Sequence, residues 1–142
     1  MTGADRRARL VRAVEATVSG DSSAVSELFT EDVDAWSPVV HVTSREALAV
    51  ELEDMDDAFS ELQCHVRLVA VEQGHGCAEW VASAIHSGPY PVDERTVLEA
   101  TGRRVTLRGV SVAEFEGDRI RAFRLYWDEV DLVEGLGLLP DD

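Results

Sequence analysis

The chain contains no lysine. All 13 of its basic residues are arginines, set against 28 Asp and Glu, for a net charge of −15. A surface this acidic repels phosphate backbones, which excludes nucleic acid as the main partner. Long hydrophobic runs are also missing. No stretch approaches the ~20 apolar residues that span a bilayer, and mean hydropathy is −0.10, so no membrane partner is expected. The opening MTGADRRARLVRAVEATV interrupts its apolar residues with arginines and shows no cleavage site. It reads as an amphipathic helix rather than a signal peptide. Cysteine is scarce. Cys64 and Cys77 fall on two predicted strands, roughly 25 Å apart at ~3.3 Å per residue. Unpaired, buried thiols in a cytoplasmic protein follow. There is no G-x-S-x-G, no P-loop and no G-x-G-x-x-G. The four histidines, His41, His65, His75 and His86, lack the spacing of metal ligands. Neither a cofactor nor a metal is expected.

What the chain does have is enough apolar residue, 45%, for one ordinary domain over residues 1–142. Leu10, Val11, Val14 and Val18 make one stripe of a helix over 6–19, stopped by Gly20. Asp21 is suited to cap a second, short helix burying Val25, Leu28 and Phe29. Residues 33–42 read as extended, broken at Pro38. Thr43-Ser44-Arg45-Glu46 has the pattern of a capping box, opening a helix with Leu48, Leu52, Met55 and Phe59 on one side. Strands follow at about 63–72, 77–87, 103–115 and 119–128, with a loop from Gly88 to about Gly102. A last helical turn is expected over 131–136. Helices first and a run of antiparallel strands after them predict an α+β fold, with helices covering a strongly curved antiparallel sheet. A sheet of that kind encloses a pocket suited to a small molecule.

Candidate chemistry lies on two strands. Alternate residues of a strand share a face. Trp80, Ala82, Ala84 and His86 share one, and the small alanines leave room between a ring and an imidazole. Arg124, Tyr126 and Asp128 share another. A carboxylate at a strand end beside two aromatics is suited to proton transfer when desolvated. If both faces line one cavity, Asp128 and His86 are the catalytic candidates. Asp34, Trp36, Trp80, Arg124 and Tyr126 are the candidate substrate contacts. The competing readings are a strand-end cap for Asp128, a structural role for His86 and core packing for the tryptophans. The acidic run Glu51, Glu53, Asp54, Asp56 and Asp57 falls outside the apolar stripe of its helix and reads as a solvated face.

Several pieces in order carry a resemblance. They are Leu28-Phe29-Thr30-Glu31-Asp32-Val33, Pro38, Glu46-Ala47-Leu48, Glu79-Trp80 through His86-Ser87-Gly88, Thr101-Gly102-Arg103 with Gly109-Val110, Gly117-Asp118-Arg119-Ile120, Tyr126-Trp127-Asp128 and Leu136-Gly137-Leu138-Leu139-Pro140. Together they resemble the SnoaL-like polyketide cyclases of the nuclear transport factor 2-like (ketosteroid isomerase-like) superfamily. The resemblance implies a cone-shaped α+β fold with a deep apolar pocket, often as a homodimer. It also implies cofactor-independent acid/base chemistry on a polyketide-like or other polycyclic molecule, by aldol-type cyclisation or isomerisation, with Asp128 handling the proton. The chain departs from two relatives. Trp80 and Ala82 stand where limonene-epoxide hydrolases carry an Arg and an Asp, which weakens epoxide hydrolysis. Ser37 stands where ketosteroid isomerases carry a basic Asp before the proline. The alternatives are a non-catalytic small-molecule-binding or scaffold module of the same fold, and an epoxide hydrolase or accessory protein of a tailoring hydroxylation.

Overall fold

The computed structural model describes residues 3–91 and 95–138. The Leu139-Pro140 end of the C-terminal motif lies outside the described residues. Helix α1 (Gly3–Ser19) buries Leu10, Ala13, Val14, Thr17 and Val18, the i, i+3, i+4, i+7 spacing of one helical stripe. Gly20 ends it at φ +75°, where a Cβ would lie 2.9 Å from the Leu52 carbonyl oxygen. Only glycine meets both demands. Asp21 caps a single 3₁₀ turn, Ser22–Ala24, which leads into α2 (Val25–Leu28).

Phe29 leaves the helix and opens β1 (Phe29–Trp36). A short β2 (His41–Val42) pairs back on its end. Helix α3 (Arg45–Ala58) is capped by Ser44, whose hydroxyl accepts from the Ala47 N–H, one residue after the Thr43 expected to cap. Phe59 again starts a strand rather than ending a helix. β3 (Phe59–Glu72) and β4 (His75–His86) form a long hairpin. Its two-residue turn puts Gln73 and Gly74 both at positive φ, the backbone that suits the twist of flanking strands. The segment expected as a loop holds a small ribbon, β5 (Tyr90–Pro91) with β6 (Val97–Leu98). β7 (Arg104–Glu116) and β8 (Arg119–Trp127) form the second long hairpin, and α4 (Glu129–Gly135) follows.

The main sheet runs β2-β1-β8-β7-β4-β3. It is curved and not closed. The expectation of a wholly antiparallel sheet needs one correction, since β1 pairs with β8 in parallel. The connection from β1 to β8 spans most of the chain, as a parallel pair requires. Pairing fixes which residues share the inner face: Trp80 opposite Gly109, Ser111 opposite Leu125, Ala113 opposite Phe123, and Ala35 beside Phe123. This face, α1, α2 and α3 make one core that contains Phe29, Val33, Trp80, Ile120 and Phe123. Each large side chain buried there is worth about 1.5–3 kcal/mol. A second, smaller cluster joins Val105, Leu132 and Leu136 to Phe59, Tyr90 and Leu98 at one end of that face.

Both cysteines are free. Cys77 pairs with Ala70 and Cys64 with Ala82, so six residues of β3, ~20 Å, separate them. Cys64 is half-buried, but Cys77 is exposed rather than buried. Among the described residues, no helix is long and apolar enough to cross a membrane. The acidic residues of α3 stay at its surface, with Glu51 partly covered, and no metal-ligand cluster is found among the described residues.

Candidate functional site

The sheet divides the residues expected to form one site. Trp80 and His86 lie on the inner face and are 1% and 0% exposed. Asp34, Trp36, Arg124 and Tyr126 lie on the outer face, as their strand parity against the buried Ala35, Phe123 and Leu125 requires. Asp128, just past β8, is exposed as well. Trp127 pairs with Gly109, which places Asp128 level with Arg108 and Val81. His86 is then five residues further along β4 and two strands across, roughly 19 Å by strand geometry. The pairing of Asp128 with His86 in one cavity is therefore not what the fold builds. Asp128 instead caps α4, its carboxylate accepting from the Val130 N–H at 2.9 Å. This is the bland reading of a strand-end Asp, and it follows from the helix that begins one residue later.

The outer face is a surface of mixed charge around exposed rings. The rings of Trp36 and Tyr126 meet at a tilt, 5.1 Å between centroids, and are 37% and 45% exposed, with Val110 beside them at 38%. The Arg124 guanidinium donates to Glu114 at 3.0 Å. That bond holds the Glu114 carboxylate below its usual range and lifts Arg124 further above its own. Arg121 and His75 approach the same carboxylate. Asp34 pairs with His41 at 2.7 Å on the β1–β2 edge. An open groove of about 700 Å³ runs over this face beside Arg67, Glu79, Val81, Arg108, Tyr126 and Asp128.

The inner face carries the more chemically distinctive feature. Trp80 packs against the paired Gly109 and donates its indole N–H to the Ser111 hydroxyl at 3.0 Å. Beyond the small Ala82 and Ala84, β4 ends at His86. The turn from Thr101 to Arg103 wraps that residue. His86 N–H donates to the Arg103 carbonyl and Gly102 N–H to the His86 carbonyl, both at 2.9 Å. The Thr101 N–H donates to His86 Nδ1 at 3.1 Å, and the Thr101 hydroxyl lies 2.9 Å from the same nitrogen. A backbone N–H can only donate, so Nδ1 is an acceptor and the neutral ring carries its proton on Nε2. Nε2 is buried and, among the described residues, has no hydrogen-bond partner. The ring contacts Phe59 at 5.7 Å and Tyr90 at 6.4 Å. A buried donor without a partner costs about 1–3 kcal/mol, a cost that calls for an explanation such as a catalytic role or a bound water.

Tyr90 was not among the sequence candidates, nor were Phe59, Thr101 and Glu129. Burial first, and then the negative charge of Glu129, push the Tyr90 phenol up to about 12. Glu129 is held by the Trp127 indole N–H, which donates to Oε2 at 2.7 Å. No signal in the sequence separates Glu129 from the neighbouring Asp128. The Gly-Pro-Tyr-Pro segment did flag Tyr90, but only as the start of a loop.

A family model described as SnoaL-like domain matches residues 10–123. Comparison with curated proteins finds no match. Among solved structures, the chain is similar to AclR of Streptomyces galilaeus, assigned as a hydroxylase, with 23% identity over 99% of this chain and 86% of that one and a TM-score of 0.80. It is similar to a protein of Jannaschia sp. CCS1, assigned as a SnoaL-like polyketide cyclase, with 14% identity over 97% and 95% of the two chains and a TM-score of 0.83. It is also similar to IdmH of Streptomyces antibioticus, assigned as a polyketide cyclase, with 19% identity over 93% and 98% and a TM-score of 0.73. At these identities the likeness is one of fold.

Proposed function

Since this chain belongs to the SnoaL-like domain family, with the α+β architecture of the nuclear transport factor 2-like fold, we propose that it acts on an apolar, carbonyl-bearing small molecule at the His86 end of the inner sheet face. The observation that carries the reading is the His86 Nε2–H, a donor buried at 0% exposure with no partner among the described residues and fixed in that tautomer by Thr101. Rings of Phe59 and Tyr90 flank it, and aliphatic side chains of Leu98, Val105, Leu132 and Leu136 gather beside them. Such a site suits a flat polycyclic or polyketide-like body whose carbonyl oxygen accepts from Nε2. The donor then holds the charge that develops on that oxygen during enolisation, which is the first step of an aldol-type ring closure or an isomerisation.

The test uses 9-fluorenone, a rigid polycyclic ketone. Binding should quench tryptophan fluorescence, and the Nε2 hydrogen bond should lower the carbonyl stretching frequency of the bound ketone. His86→Phe should abolish that shift and weaken binding about 3–10-fold, the worth of one hydrogen bond. A bound ketone whose carbonyl stretch is the same in parent and variant refutes the assignment of His86.

Asp128 favours a second reading, because the acid expected to do chemistry is a solvated helix cap. A binding or scaffold module of the same fold needs no base. It predicts fluorenone binding but no turnover of any carbon acid.

The outer face fits a second copy of the chain. The apolar face of β8, with Phe123 and Leu125, is covered by the protein's own core. The opposite face, with Trp36, Val110 and Tyr126, is the one left open. It mixes Arg67, Arg108 and Arg124 with Glu79, Glu114 and Asp128. A two-fold pairing can place unlike charges across from one another around the central rings.

A further inference from the structure

We propose that Glu129 is the proton-transferring carboxylate of the site whose hydrogen-bond donor is His86. The inference rests on the carbonyl-binding reading above and adds the base that reading lacks.

Three placements carry it. First, Glu129, Leu132 and Leu136 stand at i, i+3 and i+7 of the α4 segment and so share one stripe. Leu132 and Leu136 are buried against Val105 in the cluster that contains Phe59, Tyr90 and Leu98, so Glu129 is directed to the edge of the same cluster. Second, Trp127 belongs to the inner face of β8 with Phe123 and Leu125, opposite Gly109. Its indole N–H holds Glu129 Oε2 at 2.7 Å. That bond ties one oxygen down and leaves Oε1 for a substrate. Third, Tyr90 joins the two halves. Its ring is 6.4 Å from His86 and packs on the cluster that contains Leu132 and Leu136, the stripe Glu129 shares; in keeping with this, the charge of Glu129 adds to burial in raising its phenol. Asp128, one residue earlier, has none of these relations and is engaged with the Val130 N–H.

The chemistry balances without a co-reactant. Glu129 Oε1 takes a proton from the carbon next to the ketone as that C–H bond breaks. The electron pair moves onto the carbonyl oxygen, where the His86 Nε2–H stabilises it. In a ring closure the enolate carbon then bonds to a second carbonyl carbon, and the new alkoxide takes the proton back from Glu129. In an isomerisation the proton returns to a different carbon.

The experiment follows exchange of the C1 protons of 2-tetralone in D₂O by proton NMR, beside binding of the same ketone measured by tryptophan quenching. The parent should exchange faster than buffer. Glu129→Gln should lose about 10²–10⁴ of the enzyme-dependent rate while still binding. Asp128→Asn, which keeps the cap, should exchange at the parent rate. An undiminished rate in Glu129→Gln overturns the proposal, as does a parent that binds tetralone without accelerating exchange, although carbonyl binding then stands. A parent that binds neither ketone overturns the carbonyl-binding reading and this inference with it.

Discussion

Stability should fall as the pH rises from 9 to 12, and Tyr90 should account for most of the fall above pH 10. Few groups titrate in this window because the chain has no lysine and two tyrosines. Burial first, and the Glu129 charge second, move Tyr90 from its ordinary 10.0 to about 12 in the folded protein. The folded pKa is raised, so the stabilisation is present below pH 10. It is lost as the pH climbs toward 12, where the unfolded chain has already released a proton that the folded chain still holds. Two pH units correspond to about 2.7 kcal/mol. Allowing for the partly exposed ring, about 2 kcal/mol should be lost. Cys64 behaves in the same sense, moved from 9.0 to about 11, chiefly by burial. Its half-exposed thiol makes its share smaller, and a Cys64→Ala background removes it. The assay is urea unfolding at half-unit pH steps. Tyr90→Phe keeps the ring and should flatten the slope between pH 10 and 12. Glu129→Gln should flatten it in part, because one of the two causes is gone. If Tyr90→Phe loses stability with pH as steeply as the parent, the phenol is not desolvated and the reasoning fails.

Three further outcomes test the architecture. Gly109→Ala would place a Cβ against the Trp80 ring and 2.6 Å from the Tyr126 carbonyl oxygen. With Trp80 tied to Ser111, the overpacking should cost about 1–3 kcal/mol by urea unfolding, and a Trp80→Phe partner should recover part of it. Asp128→Ala should cost about 1 kcal/mol through the lost cap, whereas Asp128→Asn should stay near the parent in thermal melts. Light scattering at micromolar concentration should give twice the 15.6 kDa chain mass, and Tyr126→Glu on the outer face should halve it. A parent that already runs at the single-chain mass rejects the two-fold pairing.

Local chemistry made much of this protein legible in advance. The stripe of α1, the alternation of Trp80, Ala82, Ala84 and His86, and the two long hairpins follow from periods of 3.6 and 2, and the structure keeps all three. Boundaries slipped where two signals overlap. Phe29 and Phe59 continue a helical stripe and also suit a strand, and pairing with Ile120 and with His86 decided for the strand. Alternation along β8 shows that Arg124, Tyr126 and Asp128 share a face, but not which face turns inward. Both faces hold large apolar groups, so only the register with β7, and the helices packed against Phe123 and Leu125, could choose. That choice put Asp128 at the exposed start of α4 and His86 on the buried face. The parallel contact of β1 with β8, the contact of Tyr90 with His86 and the packing of Leu132 and Leu136 with Tyr90 join segments far apart in the chain. No local period records such contacts, and only the closing of the fold over one face of the sheet brings those residues together.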